Sequence, residues 1–158
     1  MMKKIILLFL CGWIMLLTGC AKESPVDDDE EHPSVSLTEY EKKVVALVNK
    51  ERKAAGLKTL KIETSLMVDS DVRAKEIVSE FSHTRPDGNS CFTVITTKFA
   101  SAGENIAKGY ASPENVMKGW MNSKGHKENI MNGQFTHIGV GCHREKGTFY
   151  WVQLFIEK

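Results

Sequence analysis

The chain has 158 residues, a length that holds one ordinary domain. With 42% hydrophobic and 26% charged residues it is neither a disordered nor a fibrous chain. Four cysteines are too few for a disulfide-built mini-protein, and a net charge of +1 excludes a strongly basic nucleic-acid binder, so no nucleic-acid partner is expected.

The first segment reads as an address. Met1-Met2-Lys3-Lys4 is a short cationic start, and Ile5 to Leu17 is an almost unbroken apolar run. As a helix that run would be roughly 20 Å long, short of the ~30 Å hydrocarbon core, so it fits a secretory signal over 1–19 rather than a membrane span. It ends Leu17-Thr18-Gly19-Cys20, which resembles the lipobox of bacterial lipoproteins. That resemblance implies cleavage before Cys20 and a diacylglycerol on its thiol, and thus a membrane partner.

Residues 20–37 follow as an acidic tether. Between 21 and 37, Lys22 stands against Glu23, Asp27, Asp28, Asp29, Glu30 and Glu31, with Pro25 and Pro33 and few apolar side chains. Such a segment is expected to be extended by self-repulsion, reaching at most roughly 60 Å. The remainder, 38–158, carries 18 basic and 14 acidic residues, so a mildly basic domain hangs from an acidic spacer.

In the domain, Thr38-Glu39-Tyr40-Glu41 has the form of a capping box and opens a helix over about 38–55. Tyr40, Val44, Leu47 and Val48 supply its apolar stripe, and Gly56 sits where a C-terminal cap belongs. A second helix starts at Thr64 or Ser65 and runs to near Ser82. Pro86-Asp87-Gly88 is a turn, and a short helical turn is expected from Cys91 to Thr97. Ser112-Pro113-Glu114 caps and opens a third helix bearing Val116, Met117 and Trp120, which Gly125 should break; a short turn then holds Ile130 and Met131.

The C-terminus changes period. Residues 137–143 alternate, with Ile138, Val140 and Cys142 on one face and Gly139 and Gly141 on the other. The glycine pair predicts that something approaches this strand's backbone closely. Residues 148–156 are apolar on both faces, which requires a layer on each side, and 144–147 form a hairpin connection. The fold class expected is α+β: an α-β-α sandwich with a small antiparallel sheet between helix layers.

Once the signal is removed and Cys20 is acylated, Cys91 and Cys142 remain. In an exported domain a single disulfide between them is expected, the alternative being two buried free thiols. Trp120, Trp151, Tyr150 and Phe155 read as core. Arg85 and Asp87 either brace the turn as an ion pair or face a cleft.

Six segments in order carry a resemblance. They are Val48-Asn49-Lys50-Glu51-Arg52, Ser82-His83-Thr84-Arg85-Pro86-Asp87-Gly88, Ala102-Gly103-Glu104-Asn105-Ile106-Ala107, Trp120-Met121-Asn122-Ser123-Lys124-Gly125-His126 with Asn129-Ile130-Met131, Phe135 to Gly141, and Tyr150 to Phe155. Over 38–158 the chain resembles the bacterial branch of the CAP superfamily (SCP domain). The resemblance implies an α-β-α sandwich and a cleft tetrad of two histidines and two acids. His83, Glu104 and His126 match three of the four; the fourth position, three residues after Trp120, is Ser123. Asn105 is counted with the cleft, although its amide could equally tie loop backbone. His83 and His126 are the implied metal ligands, with Zn as the possible ion, since two imidazoles and a carboxylate with an open position suit it. Losing one carboxylate removes charge neutralisation and a candidate base.

Three functions are therefore expected in this order: an envelope-tethered module binding a lipid, glycan or protein ligand; a structural envelope protein without a small ligand; and a metal-dependent hydrolase or peptidase using the His-Glu-His trio.

Overall fold

The computed structural model describes residues 37–158, with side chains from residue 38 onward. The expected signal (1–19), the acyl site at Cys20 and all but the last residue of the 20–37 tether lie outside the described residues. Among the described residues, no helix is long and apolar enough to cross a membrane.

The elements run α1 (Leu37–Ala54), β1 (Lys61–Ile62), α2 (Thr64–Ser79), a 3-10 turn (Cys91–Val94), β2 (Ser101–Lys108), α3 (Pro113–Met121), α4 (Lys124–Ile130), β3 (His137–Glu145) and β4 (Thr148–Glu157). One sheet has the order β1-β3-β4-β2, with β1 parallel to β3 and the other pairs antiparallel. β4 lies between β3 and β2 and is buried along most of its length, as its two-sided apolar pattern requires. The β3–β4 hairpin turns at Lys146-Gly147, both at positive φ, the conformation that matches the twist of the flanking strands.

Alternate side chains of the strands enter two cores. Ile138, Val140, Cys142, Trp151 and Phe155 pack with Val44, Val48, Val116, Trp120 and Ile130 of α1, α3 and α4. Val152, Leu154, Ile156 and Ile106 pack with Leu66, Ala74 and Ile77 of α2 and Val94. The sheet is thus covered on both sides, an α-β-α sandwich. α2 lies nearly on the backbone of β3. A Cβ on Gly139 would collide with the Leu66 carbonyl group, and one on Gly141 with that of Ser70. This is the close approach that the glycine pair predicts.

Local departures from the sequence reading have local causes. α1 begins at Leu37, so Thr38 is inside the helix rather than capping it. Glu41 is buried and accepts a hydrogen bond from the Cys142 amide at 3.1 Å, while Val140 N lies 3.2 Å from the Met67 sulfur. These side chains cover the edge of β3 beyond the two-residue β1. Burial and the neighbouring Asp71 carboxylate push the Glu41 carboxyl up to about 8. α2 ends at Ser79, earlier than expected, where Glu80 turns extended. Ser112 caps α3 as expected, its Oγ accepting from Asn115 N. Gly125 lies inside α4 and does not break a helix. β2 is the largest omission: the sequence reading places no strand between the Cys91 turn and Ser112, yet Ser101–Lys108 pairs with β4 along eight residues.

The expected disulfide is corrected. Cys91 and Cys142 are both free and buried. Cys142 points into the core beneath α1, whereas Cys91 stands beside Glu104 in contact with the α2 side of the sheet. The sheet separates the two sulfurs, so no bridge between them forms.

Candidate functional site

The site is built around a buried carboxylate. Glu104 sits in β2, and because strand side chains alternate, it faces α2 together with Ile106. Arg73 lies on the inward face of α2, in line with Leu66, Ser70, Ala74 and Ile77, and is fully buried. Its Nε donates to Glu104 Oε2 at 2.9 Å, its Nη1 to Glu76 Oε2 at 2.8 Å, and its Nη2 to the Ser82 carbonyl at 2.9 Å. Glu76 also accepts from Arg85 at 2.6 Å. Arg85 therefore braces the loop through Glu76, while Asp87 accepts from the Asn89 amide at 2.9 Å.

This network orients a histidine. His83 Nδ1 lies 2.7 Å from Glu104 Oε1, and the His83 side chain is 59% exposed. The carboxylate keeps the bonded ring nitrogen protonated and leaves Nε2 as the ring's other polar atom. The Glu104 bond raises the His83 pKa above its ordinary value, against burial and the Arg73 charge. Burial would push Glu104 up, but the bonds from His83 and Arg73 outweigh it and hold its carboxyl below the usual range. The loop carrying His83 is latched: Cys91 N donates to the His83 carbonyl at 3.0 Å, and Thr84 bridges Ser90. The Cys91 sulfur also stands within 4.8 Å of the Glu104 carboxylate.

His126 and Ser123 stand on the neighbouring surface. Both line a cavity of about 270 Å³ with Phe81, Ile106, Lys108, Tyr110 and Trp120. His126 is half-buried; burial and the nearby His83 lower its pKa. Ser123 begins α4, yet its hydroxyl makes no capping bond. Phe81, two residues before His83, carries the cavity wall to the His83 loop, and Lys108 Nζ sits 4.9 Å from its ring centre. Tyr110 lies over Gly119, where a Cβ would come within 2.6 Å of its hydroxyl.

The trio is therefore gathered but not as a common lining. His83 and Glu104 touch, and His126 lies within their electrostatic reach. Glu104, however, is buried behind His83 and does not line the cavity. Asn105 is corrected: it faces away from Glu104 and is fully buried. Its Nδ2 donates to the His126 carbonyl and to Gln153 Oε1, both at 3.0 Å, and its Oδ1 accepts from Asn129 at 2.9 Å. Asn105 anchors α4 behind His126 and does not contact the cavity. Arg73 and Glu76 were not singled out in the sequence; an arginine at i+7 from Leu66 on an otherwise apolar stripe was the available signal. Arg52, named in the sequence only as the end of the first resembling segment, is fully buried and donates to the backbone carbonyls of Lys58, Ile130, Asn132 and Phe135.

As a metal set, His83 and His126 are incomplete. Ser123 stands where a second acid was implied, and Arg73 and His83 already engage both oxygens of Glu104. Two imidazoles by themselves fall short of the usual three protein ligands, and Glu104 could join them only by giving up a bond it already holds.

Comparison with known proteins places this geometry. The model of the cysteine-rich secretory protein family (CAP) matches residues 45–155. The uncharacterised protein YkwD of Bacillus subtilis is 44% identical over 128 residues, which are 78% of this chain and 49% of that protein. An extracellular protein containing an SCP domain from Bacillus anthracis superposes with a TM-score of 0.71 at 28% identity, covering 77% of this chain and 41% of that one. An outer surface protein of Borrelia burgdorferi shares the fold, with a TM-score of 0.68 at 24% identity over 74% of this chain and 91% of that one. The chain spans about half or less of the length of the two Bacillus proteins.

Proposed function

The chain belongs to the cysteine-rich secretory protein (CAP) family, and from that premise we propose that it is an exported binding module, held at the cell envelope through an acylated Cys20. Its ligand site is the cavity between Phe81, Tyr110, Trp120 and His126. The observation that carries this reading is the lining itself: apolar and aromatic walls with Lys108, Ser123 and His126 as the polar groups, and no acidic residue among them. A cavity of about 270 Å³ suits a small ligand, or one end of a longer one. Its chemistry favours an apolar body with an anionic or acceptor-rich end, placed near Lys108. The extracellular Bacillus anthracis relative supports export.

The test is binding of a single-chain fatty acid and of soluble peptidoglycan fragments to the purified chain, read by tryptophan fluorescence and calorimetry. Saturable binding that weakens about tenfold in Lys108→Ala and Tyr110→Ala supports the cavity, since a charged contact or a lost aromatic wall is worth about 1.4 kcal/mol or more. No binding of either class, or binding unchanged in both variants, overturns it. Growth in a radiolabelled fatty acid, with label absent from the chain or unchanged by Cys20→Ser, would remove the anchor.

A further inference from the structure

We propose that His83, Cys91 and Glu104 form a binding site for a thiophilic divalent cation of the zinc class, with His83 Nδ1, Cys91 Sγ and Glu104 Oε1 as ligands. The site differs from the His83–His126 pair that the family resemblance implies, and it does not depend on the ligand cavity.

Geometry carries it. A His83 ring nitrogen, Cys91 Sγ and a Glu104 carboxylate oxygen lie within 4.8 Å of one another, and His83 Nδ1 is 2.7 Å from Glu104 Oε1. Tetrahedral zinc bonds to nitrogen, sulfur and oxygen set ligand atoms roughly 3.3–3.7 Å apart, so adjustments of side-chain rotamers bring this set onto an ion. The ligands come from two well-held pieces of backbone. His83 and Cys91 are joined directly by the 3.0 Å bond from Cys91 N to the His83 carbonyl, and Glu104 is fixed in the paired strand β2. Arg73 holds Glu104 Oε2 at 2.9 Å and reaches Oε1 only at 3.5 Å, so it orients the carboxylate while the ion replaces the 2.7 Å bond between Oε1 and His83 Nδ1. His83 is exposed, so a water has access to a fourth position, while Cys91 is buried and keeps its sulfur from bulk oxidants. One thiolate, one imidazole and one carboxylate select zinc-like ions over calcium or magnesium, which take oxygen ligands.

Cys91 as a nucleophile is the competing use, and the surroundings oppose it. Burial and the Glu104 carboxylate push the thiol up to about 12, so it rests protonated. Binding an ion displaces a proton from each of two ligand atoms: the Cys91 S–H bond breaks and its proton leaves to buffer, the His83 proton leaves Nδ1 as the neutral ring takes the tautomer protonated at Nε2, and S–metal and N–metal bonds form with no change of oxidation state.

The test uses the metal-free full chain titrated with cadmium and zinc. Cadmium reports sulfur ligation through ultraviolet thiolate-to-metal charge-transfer absorption, read as the difference between the wild-type and Cys91→Ser chains. The expected result is a saturable difference band at one ion per chain. It persists in Cys142→Ser and His126→Ala, and weakens at least about tenfold in His83→Ala. Zinc should displace cadmium from it, whereas calcium should not. Cys91→Ala serves beside Cys91→Ser should either fold poorly, with thermal melting checking each. Absence of a Cys91-dependent band overturns the site. So does zinc affinity that falls in His126→Ala while both Cys91 variants bind as tightly as wild type.

Discussion

Two fully buried arginines, one on each side of the sheet, do different work with the same side chain. Arg52 sends its guanidinium to four backbone carbonyls that lie in the loop after α1, at the end of α4 and in the segment leading to β3. Its described bonds go to dipoles, and burial lowers its pKa. Arg73 meets the charges of Glu104 and Glu76; burial opposes its positive form, but the bonds to these carboxylates outweigh it and raise its pKa. The first fastens loops around a core. The second holds an ionised carboxylate beneath an exposed histidine. The partner rather than the residue decides whether a buried cation is a staple or part of a site.

Removing Arg73 should break the contrast hardest. Arg73→Met leaves Glu104 buried without its main counter-charge and should cost roughly 3–5 kcal/mol near neutral pH, measured by urea unfolding. A loss equal to that of an ordinary surface arginine would mean the network is dispensable. Gly139→Ala comes next: its Cβ collides with the Leu66 backbone, which cannot swing aside like a side chain, and should cost about 2–3 kcal/mol. An unchanged melting temperature would contradict the close seating of α2.

Arg52→Lys sharpens the comparison from the other side. Charge is kept, but one ammonium cannot serve carbonyls spread around a planar fork. A loss of about 2 kcal/mol is expected in the same unfolding assay, with the His83 titration unmoved. A simultaneous change at His83 would show that the two arginines are not independent.

The smallest effects are protonic. In metal-free protein, NMR titration should find His83 above and His126 below the ordinary value of 6.5. In Glu104→Gln, His83 should fall back. Because its folded value is raised, His83 contributes stability that is complete below 6.5 and fades as pH rises through that higher value. Glu104 has a depressed value, so its contribution is present above 4.5 and is lost as pH falls through the lower folded value. The stability difference between wild type and His83→Ala should therefore be greatest between 4.5 and 6.5. A difference that instead grows toward alkaline pH would reverse the assignment.

By itself the sequence determined what repeats along the chain. The helical stripes of α1 and α2, the Ser112-Pro113 start of α3, the two-sided apolar β4 and the tight approach at Gly139 and Gly141 were all legible, because each is a periodic or steric property of neighbouring residues. The residue identities His83, Glu104 and His126 were legible through the order of the segments around them. Tertiary structure alone decided the rest. Gly103, Glu104 and Asn105 have little intrinsic preference for a strand, yet pairing with β4 makes one, and its alternation sends Glu104 to Arg73 and Asn105 to the back of α4. Whether Cys91 faces Cys142 or Glu104 likewise depends on which side of a sheet each sulfur occupies. Hydrophobic periodicity sets where an element buries its surface; it carries no record of which charge, from a segment far along the chain, will meet it there.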